Sequence, residues 1–186
     1  MDRLDAIDNA DALLQVLVER GQGQYGYERV SQLEHALQCA QLAEAAGEPP
    51  ALIVAALFHD VGHLVDGADV TWLERGRDDR HELRAVQRLR RSFGAAVVGP
   101  IVRHVAAKRY LCATESGYLE ALSEASRASL ALQGGPMTPA EAQRFRRQAH
   151  AAEAIRLRRY DDAAKLPGRS TPPAEYFARY WRNGIG

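Results

Sequence analysis

Five of the six histidines in this chain form one ordered series with two aspartates. The series runs through His35, His59, Asp60, His63, His81, His104 and Asp161. Imidazole nitrogens and carboxylate oxygens suit iron, manganese and zinc, and a shared carboxylate can bridge two ions. A single histidine is more simply explained as a packed core or surface residue. So many metal-competent residues in this order, with His59 and Asp60 adjacent, instead predict a metalloprotein.

The elements around these residues suggest how they are positioned. His59 and Asp60 follow the apolar run ALIVAALF, which predicts a buried helix. Neighbours on a helix point about 100° apart, so this pair can hold two nearby ions or two sides of one. His63 lies four residues after His59 and would share its helix face. Buried polar groups without partners are costly, and metal ligation, or a bound anion for His63, would remove that cost.

Two cations keep helical spacing with predicted ligands. Lys108 lies four residues after His104, and Arg158 lies three residues before Asp161. Either an anion site or, for Lys108, an exposed helix face beside Arg109 fits this spacing. A polar set at i, i+3 and i+7, which consists of Ser126, Ser129 and Gln133, is by its spacing typical of an exposed amphipathic face.

The apolar periodicity is helical almost throughout, which predicts one all-α domain over residues 1–186. The stretch 64–80 is polar and predicts a surface loop or short helix. The expected helices are Leu4–Arg20, Ser31–Ala46, Pro50–His63, His81–Phe93, Ala95–Tyr110, Tyr118–Leu132, one that starts at Thr138, one that carries RLRRYDD, and a C-terminal docking helix at about 172–183.

Composition limits the classes of function. The chain has 186 residues, 46% of them hydrophobic, with 24 basic and 24 acidic side chains, so no overall charge favours nucleic acid or an anionic membrane. The N-terminus lacks an apolar signal segment, and no apolar run approaches about 18 residues. Two cysteines are too few for a disulfide framework, and Cys39 is expected to be a core thiol. We therefore expect a cytoplasmic protein without nucleic-acid or membrane partners.

The pattern H…HD…D resembles the HD-domain superfamily, whose members are all-α and often metal-dependent phosphohydrolases. The additional His81 and His104 resemble its two-metal subtype. Four stretches, YGYERVSQLEHALQCA, ALFHDVGH, RHVAAKRYL and LSEASRASLALQGGPM, more narrowly resemble PhnZ-type phosphonate oxygenases. HVAAKRYL and LQGGPM are the specific parts, since HDxGH also occurs in hydrolases. The similarity covers about Tyr25 to Asp161, within a predicted metal-binding core at about 25–165.

This resemblance implies a mixed-valent Fe(II)/Fe(III) site that uses O2 to split the carbon–phosphorus bond of a 1-hydroxyphosphonate into a carboxylic acid and phosphate. His35, His59, Asp60 and Asp161 would hold one iron. Asp60 would bridge to a second iron, held also by His81 and His104. The phosphonate would be bound by charge-assisted and hydroxyl donors, namely His63, Lys108, Ser126, Ser129, Gln133 and Arg158.

The resemblance also assigns roles in the glycine-rich loop. Tyr25 would cap the open iron position until substrate arrives, and Glu28 would read an amino group on the substrate. Two substrates remain open: 2-amino-1-hydroxyethylphosphonate, giving glycine, and its N-trimethyl analogue, giving glycine betaine. Tyr27 would help the trimethyl compound through a cation–π attraction of ~0.5–2 kcal/mol. The retained spacing of Tyr25 and Glu28 favours the amino compound. An upstream Fe/2-oxoglutarate hydroxylase is implied as a functional partner by the resemblance alone.

Other functions also fit the pattern. A two-metal phosphohydrolase would use a metal-bound hydroxide against a nucleotide or phosphoester. A degenerate HD module would bind without chemistry, but the intact ligand set argues against it. A di-iron polyol oxygenase that resembles inositol oxygenase is a further alternative, and Lys108 and Arg158 favour an anionic substrate over a polyol.

Overall fold

The computed structural model describes residues 9–26, 28–65 and 80–184, and it confirms the all-α prediction. Across these ranges the only extended pairing is one isolated bridge between Gln24 and Ser31. The helices are α1 Ala10–Arg20, α2 Gln32–Ala45, α3 Pro50–Phe58, α4 His81–Arg84, α5 Val86–Ser92, α6 Ala95–Thr114, α7 Tyr118–Ala121, α8 Glu124–Leu132, α9 Pro139–Arg146, α10 Ala151–Ala163 and α11 Arg179–Arg182, with 3₁₀ turns at Val61–His63 and Ala174–Ala178.

Helix α3 is the centre of the core. Every residue from Leu52 to Phe58 is buried, so this helix has protein on all sides. Helices α2 and α6 pack against it, and α10 packs along α6 and against α2 and α3. A helix without a polar face is stable only in such a position. Polar groups at its C-terminal end are consequently enclosed by three other helices.

The helix starts expected at about Ser31 and at Thr138 are both capped. Ser31 and Glu34 form a reciprocal capping box at the start of α2, and Thr138 and Glu141 do the same at α9. Helix α1, in contrast, begins at Ala10 rather than Leu4, because Asn9 has extended backbone and its side chain accepts from the Ala12 amide. The predicted residues before it, 4–8, lie outside the described ranges.

Three predicted helix boundaries were wrong. The helix expected over 81–93 divides at Ala85, and the one over 118–132 divides at Leu122, because Ser123 is extended and caps the next helix through the Ser126 amide. Helix α6 continues past Tyr110 to Thr114, whose hydroxyl donates to the Tyr110 carbonyl at 2.9 Å. Most of the surface stretch expected at 64–80 lies outside the described ranges.

The C-terminal segment, expected as one helix at about 172–183, consists of a 3₁₀ turn followed by α11. The Trp181 ring lies 5.6 Å from the ring of Phe58 and 6.2 Å from that of Phe93. Its indole nitrogen donates to Asp11 at 3.0 Å. The segment thus contacts the end of α3 and the first helix. Among the described helices, none is long and apolar enough to cross a bilayer.

Candidate functional site

The polar residues at the end of α3 lie in a turn and not on the helix. The predicted helix through His63 ends at Phe58, and His59 and Asp60 precede a 3₁₀ turn, so the expected shared face of His59 and His63 is wrong. The cause is a close contact with α4. A β-carbon at Gly62 would lie 1.9 Å from the carbonyl oxygen of His81, so only glycine allows the two segments to meet.

A first group of donors lies between α2, this turn and α10. The Nε2 atoms of His35 and His59 are 3.3 Å apart. Asp161 places Oδ1 3.5 Å from His35 Nε2, and Asp60 places Oδ2 3.4 Å from His59 Nε2. All four side chains are buried, so their unshared electron pairs converge on one enclosed point.

A second group faces the other oxygen of Asp60. The Nε2 atoms of His81 and His104 are 3.1 Å apart. Asp60 Oδ1 lies 3.3 Å from His81 Nε2 and 3.4 Å from His104 Nε2. One carboxylate therefore directs one oxygen to each histidine pair, as a bridging ligand would.

This arrangement fits two cations. The Nδ1 atoms of His35, His59 and His104 lie 2.8, 2.9 and 2.7 Å from the carbonyls of Ala164, Ala56 and Ile101. Those contacts place the ring protons on Nδ1, so that the Nε2 lone pairs face each other without a proton between them. The Oδ1 atoms of Asp60 and Asp161 are buried and accept no hydrogen bond from the described part of the chain. Such a cluster is unfavourable without positive charge at its centre.

The electrostatics of the cluster suit metal ligation. Burial lowers the pKa of His35 to about 4 and also lowers the pKa of His104, which keeps both rings neutral. Burial alone would raise the pKa of Asp60, but the neighbouring imidazoles of His59 and His81 hold it well below its usual range. Burial likewise opposes ionisation of Asp161, and the Arg158 guanidinium more than compensates. At His59 burial lowers the pKa, but the Asp60 and Asp161 carboxylates outweigh it and raise the pKa, so metal binding at this ring competes with a proton. Neutral imidazoles and ionised carboxylates are the forms that bind metals.

Two further residues lie close to these donors. Cys39 Sγ is 3.7 Å from His35 Nε2, so this cysteine borders the first group, although it was expected only as a core thiol. Burial raises its pKa well above the ordinary value, which favours the neutral thiol over a thiolate ligand. The His63 ring stacks on the His81 ring at 4.0 Å and lines the adjoining cavity. We therefore treat both as neighbours of the cluster.

A cavity of about 190 Å³ opens beside the cluster. Asp60, Asp161, His81 and His104 form one wall. All the side chains expected to contact substrate line it: Tyr25, Glu28, His63, Lys108, Ser126, Ser129, Gln133 and Arg158. The fold thus brings the two predicted sets of residues together at one site.

Another part of the cavity lining is cationic and rich in hydroxyl groups. Lys108 is 2% exposed, and its ammonium donates to Ser129 Oγ at 2.6 Å. Burial and the Arg158 charge lower the pKa of Lys108 to about 7. The Lys108 ammonium also donates to the Ser126 carbonyl at 3.4 Å. Among the described residues these two contacts use two of its three hydrogens, which leaves one donor for an anion.

Arg158 is held in place by carboxylates. It donates to Asp161 at 2.8 Å, to Ser126 Oγ at 3.2 Å, and to Asp162. Asp162 in turn accepts from the Tyr118 hydroxyl. The guanidinium therefore connects the first donor group to the hydroxyl wall, and its orientation is fixed before any ligand arrives.

Tyr25 closes the site from the glycine-rich loop. Its hydroxyl donates to Asp60 Oδ2 at 2.6 Å, and its ring stacks on the His35 ring at 4.1 Å. Gly26 follows with φ 54°, a conformation that favours glycine, and the Glu28 amide donates to the Tyr25 carbonyl at 2.9 Å. This tight turn directs Tyr25 and Glu28 towards the cavity. Tyr27, which lies between these two residues in the sequence and was expected to help bind a trimethylammonium group, lies outside the described residues.

The sequence reasoning missed Lys165. Its ammonium lies 2.9 Å from Glu28 Oε1 and 3.0 Å from Ser126 Oγ, so Glu28 already has a cationic partner. The available signal was its spacing, since Lys165 lies four residues after Asp161 just as Lys108 lies four after His104. Its partner, however, is remote in sequence, and no local pattern indicates that contact.

The comparisons with known proteins agree with this geometry. Residues 33–141 match the HD domain family. The chain is 42% identical to a hydroxymethylphosphonate dioxygenase of Gimesia maris over 91% of its own length and 85% of the relative's. It is 40% identical to a glycine-betaine-forming [1-hydroxy-2-(trimethylamino)ethyl]phosphonate dioxygenase of Leisingera caerulea, with 86% and 81% covered.

An uncharacterized protein of Acanthamoeba polyphaga mimivirus is 35% identical over 92% of this chain and 79% of its own. The family match spans more than half of the chain, and each of the two dioxygenases is at least 40% identical over more than four fifths of both lengths. The chain belongs to the HD-domain family and, within it, to the PhnZ-type phosphonate dioxygenases.

Proposed function

We propose that this protein cleaves the carbon–phosphorus bond of a small 1-hydroxyphosphonate with O2, at a mixed-valent di-iron site. The single observation that carries the proposal is the junction of two different walls in one cavity. One part of the lining belongs to the donor cluster and consists of His81, His104, Asp60 and Asp161, with His35 and His59 behind it, and the other part has Lys108, Arg158 and hydroxyl groups. The names of the two dioxygenase relatives support the same reaction class.

His35, His59 and Asp161 would hold one iron, with Asp60 Oδ2. His81 and His104 would hold the other, with Asp60 Oδ1. The two irons would supply binding and activation of O2 for a four-electron oxidation of the substrate carbon. For the simplest 1-hydroxyphosphonate, hydroxymethylphosphonate, the balance is one phosphonate dianion and one O2 giving formate, hydrogen phosphate and a proton.

The protein's own groups would orient the substrate. Lys108, Arg158 and the Ser126 and Ser129 hydroxyls present charge-assisted donors to a phosphonate dianion. With that group fixed, the hydroxyl-bearing carbon next to phosphorus would lie on the side of the cavity that Asp60 and Asp161 form. The substrate then loses its orientational freedom when it binds and not during the reaction step, which lowers the activation free energy.

Tyr25 would exclude water until substrate binds. Its hydroxyl donates to Asp60 Oδ2, and its ring stacks on the His35 ring. A ligand that approaches the first donor group must therefore displace the Tyr25 side chain. Burial, followed by the charge of Asp60, raises the Tyr25 pKa well above the ordinary value, so the resting side chain is a neutral phenol that donates a hydrogen bond to Asp60.

Three substrates are compatible with this site. The sequence resemblance implies two of them, 2-amino-1-hydroxyethylphosphonate and its N-trimethyl analogue. The third is hydroxymethylphosphonate, which appears in the name of one relative. They share the hydroxyl and phosphonate groups and differ in the group at the far end of the molecule. The residues that face this far end, Glu28 among them, decide between them.

The alternative is a metal-dependent phosphohydrolase, because the same cluster could activate water against a phosphoester. The test is phosphate release by iron-loaded protein from the three phosphonates, with and without O2, together with p-nitrophenyl phosphate under argon. Oxygen-dependent phosphate with an equal amount of formate, glycine or glycine betaine supports the proposal. Phosphoester hydrolysis under argon without phosphonate cleavage would assign the protein to the hydrolases.

A further inference from the structure

Glu28 is not an open anionic site. Its Oε1 accepts from the Lys165 ammonium at 2.9 Å and from the Ser123 hydroxyl at 2.6 Å. The side chains of Lys165 and Glu28 are 12% and 14% exposed, so solvent screens their ion pair only weakly. The negative charge that would recognise a substrate ammonium is therefore neutralised by a group of the protein.

Lys165 also occupies the aromatic surface at this end of the cavity. Its ammonium lies over the Tyr25 ring, 6.0 Å from the centroid. A carboxylate together with an aromatic face is the usual environment for a bound alkylammonium group. The Lys165 ammonium thus occupies the position at which the cationic end of an amino or trimethylammonium substrate would otherwise bind favourably.

The position of Lys165 is fixed by its neighbours. The carbonyl of Ala164 lies 2.8 Å from His35 Nδ1. Leu166 makes two hydrogen bonds with the buried Gln38 side chain, one at its amide (3.1 Å) and one at its carbonyl (2.9 Å). Backbone held on both sides limits how far the lysine can move when a ligand enters, so displacing its ammonium from Glu28 costs free energy.

We infer that Lys165 is a specificity-determining residue, whose ion pair with Glu28 selects against 1-hydroxyphosphonates that carry an ammonium group. The inference rests on the proposed function and departs from the preference for the amino compound that the loop sequence suggested. The preferred substrate has no cation at its far end, and hydroxymethylphosphonate is the simplest compound of this class.

The experiment compares Lys165→Met, Glu28→Gln and the double variant with the iron-loaded wild type. The readout is the ratio of kcat/KM for 2-amino-1-hydroxyethylphosphonate to kcat/KM for hydroxymethylphosphonate. We expect the wild type to favour hydroxymethylphosphonate, and K165M to raise the ratio by roughly 10-fold or more, a factor that corresponds to about 1.4 kcal/mol. The double variant should return to a ratio near the wild type, because it again has no net charge at this position.

Arg159→Met is the matched control. It removes a cation from α10 that pairs with Glu115 on the exposed surface, away from the cavity. Its substrate ratio should equal that of the wild type. Far-UV circular dichroism checks folding. If K165M alone fails to fold, Glu28→Gln keeps the test, because the Lys165 ammonium without its carboxylate partner should lower the ratio below that of the wild type, and an unchanged ratio in this variant would contradict the role of Lys165.

Binding of the same compounds under argon, by isothermal titration calorimetry, separates the two proposals. Turnover with a ratio that K165M leaves unchanged would overturn the role of Lys165 and leave the proposed function intact. A changed ratio of dissociation constants without any oxygen-dependent phosphate would support the role of Lys165 and overturn the proposed function. If the wild type favours the amino compound in binding and in turnover, Lys165 does not select against cations.

Discussion

Asp60 has the largest number of roles of any single residue in the site. Its two oxygens face different histidine pairs, Oδ2 also accepts from Tyr25, and Oδ1 has no hydrogen-bond donor in the described ranges. The adjacent His-Asp pair indicated such a bridge from sequence. That each oxygen belongs to a separate group depends on the turn after α3, which the sequence pattern did not predict.

Replacing Asp60 with alanine should abolish iron binding at the bridged site and all turnover. The histidine pairs would lose the carboxylate that offsets the charge of both ions. Elemental analysis should show iron falling from about two ions per chain to fewer than one. Asp11→Ala, which removes an exposed carboxylate that does not line the cavity, is the control. Near-normal iron content in D60A would show that Asp60 is not a bridge.

Lys108 should couple phosphonate binding to proton uptake. Burial and Arg158 lower its pKa to about 7, so at pH 8 most of the free protein has a neutral amine there. A bound dianion favours the ammonium form and raises the pKa, so binding at pH 8 should take up close to one proton through this group, and little at pH 6. Affinity for the dianion consequently decreases as pH rises above about 7.

Calorimetry with hydroxymethylphosphonate under argon, in buffers of different ionisation enthalpy, measures this proton. Lys108→Arg is the matched variant, since arginine stays charged at pH 8. The phosphonate's own ionisation contributes equally to both proteins, so the difference between them reports on residue 108. Equal proton uptake by the wild type and K108R would mean that Lys108 is already charged in the free protein.

At the scale of elements, the turn between α3 and α4 decides whether the donors meet. Apolar periodicity correctly predicted α3, but it could not show that the helix ends at Phe58, because HDVGH continues a plausible helical pattern. The end is set by a contact between Gly62 and His81, which are separated by a stretch without strong pattern. The ion pair of Lys165 and Glu28 was missed for a similar reason, since it depends on tertiary structure.

Replacing Gly62 with alanine should disturb the second donor group more than the first. The added β-carbon would lie 1.9 Å from the His81 carbonyl oxygen, so α4 must move away and carry the His81 ring with it. We expect loss of about one iron per chain and a decrease in kcat/KM of roughly 10- to 100-fold, comparable to displacing a supporting group of a metal site. A matched control is Gly94→Ala, where a β-carbon meets no neighbouring atom. Two irons and full activity in G62A would show that this contact does not position His81.

At the scale of the whole molecule, the donors connect five parts of the chain. His35 comes from α2, His59 and Asp60 from the turn, His81 from α4, His104 from α6 and Asp161 from α10. All of them are buried, and each is close to at least one donor from a different element. Without cations, the fold brings carboxylates and imidazole lone pairs together at the centre of the protein, so metal binding and stability of the fold are linked.

Removing the metal should therefore lower the melting temperature. A ligand present at about 1,000 times its dissociation constant stabilises the folded state by about 4 kcal/mol, and in a chain of this size each kcal/mol corresponds to roughly 2–4 °C. Differential scanning calorimetry should show the chelated wild type melting roughly 8–16 °C below the iron-loaded protein. In D60A, the same chelation should change the melting temperature much less, because that variant holds little iron. A metal-free wild type that melts at the temperature of the loaded protein would show that the donor cluster is stable without cations, contrary to the two-ion interpretation of the site.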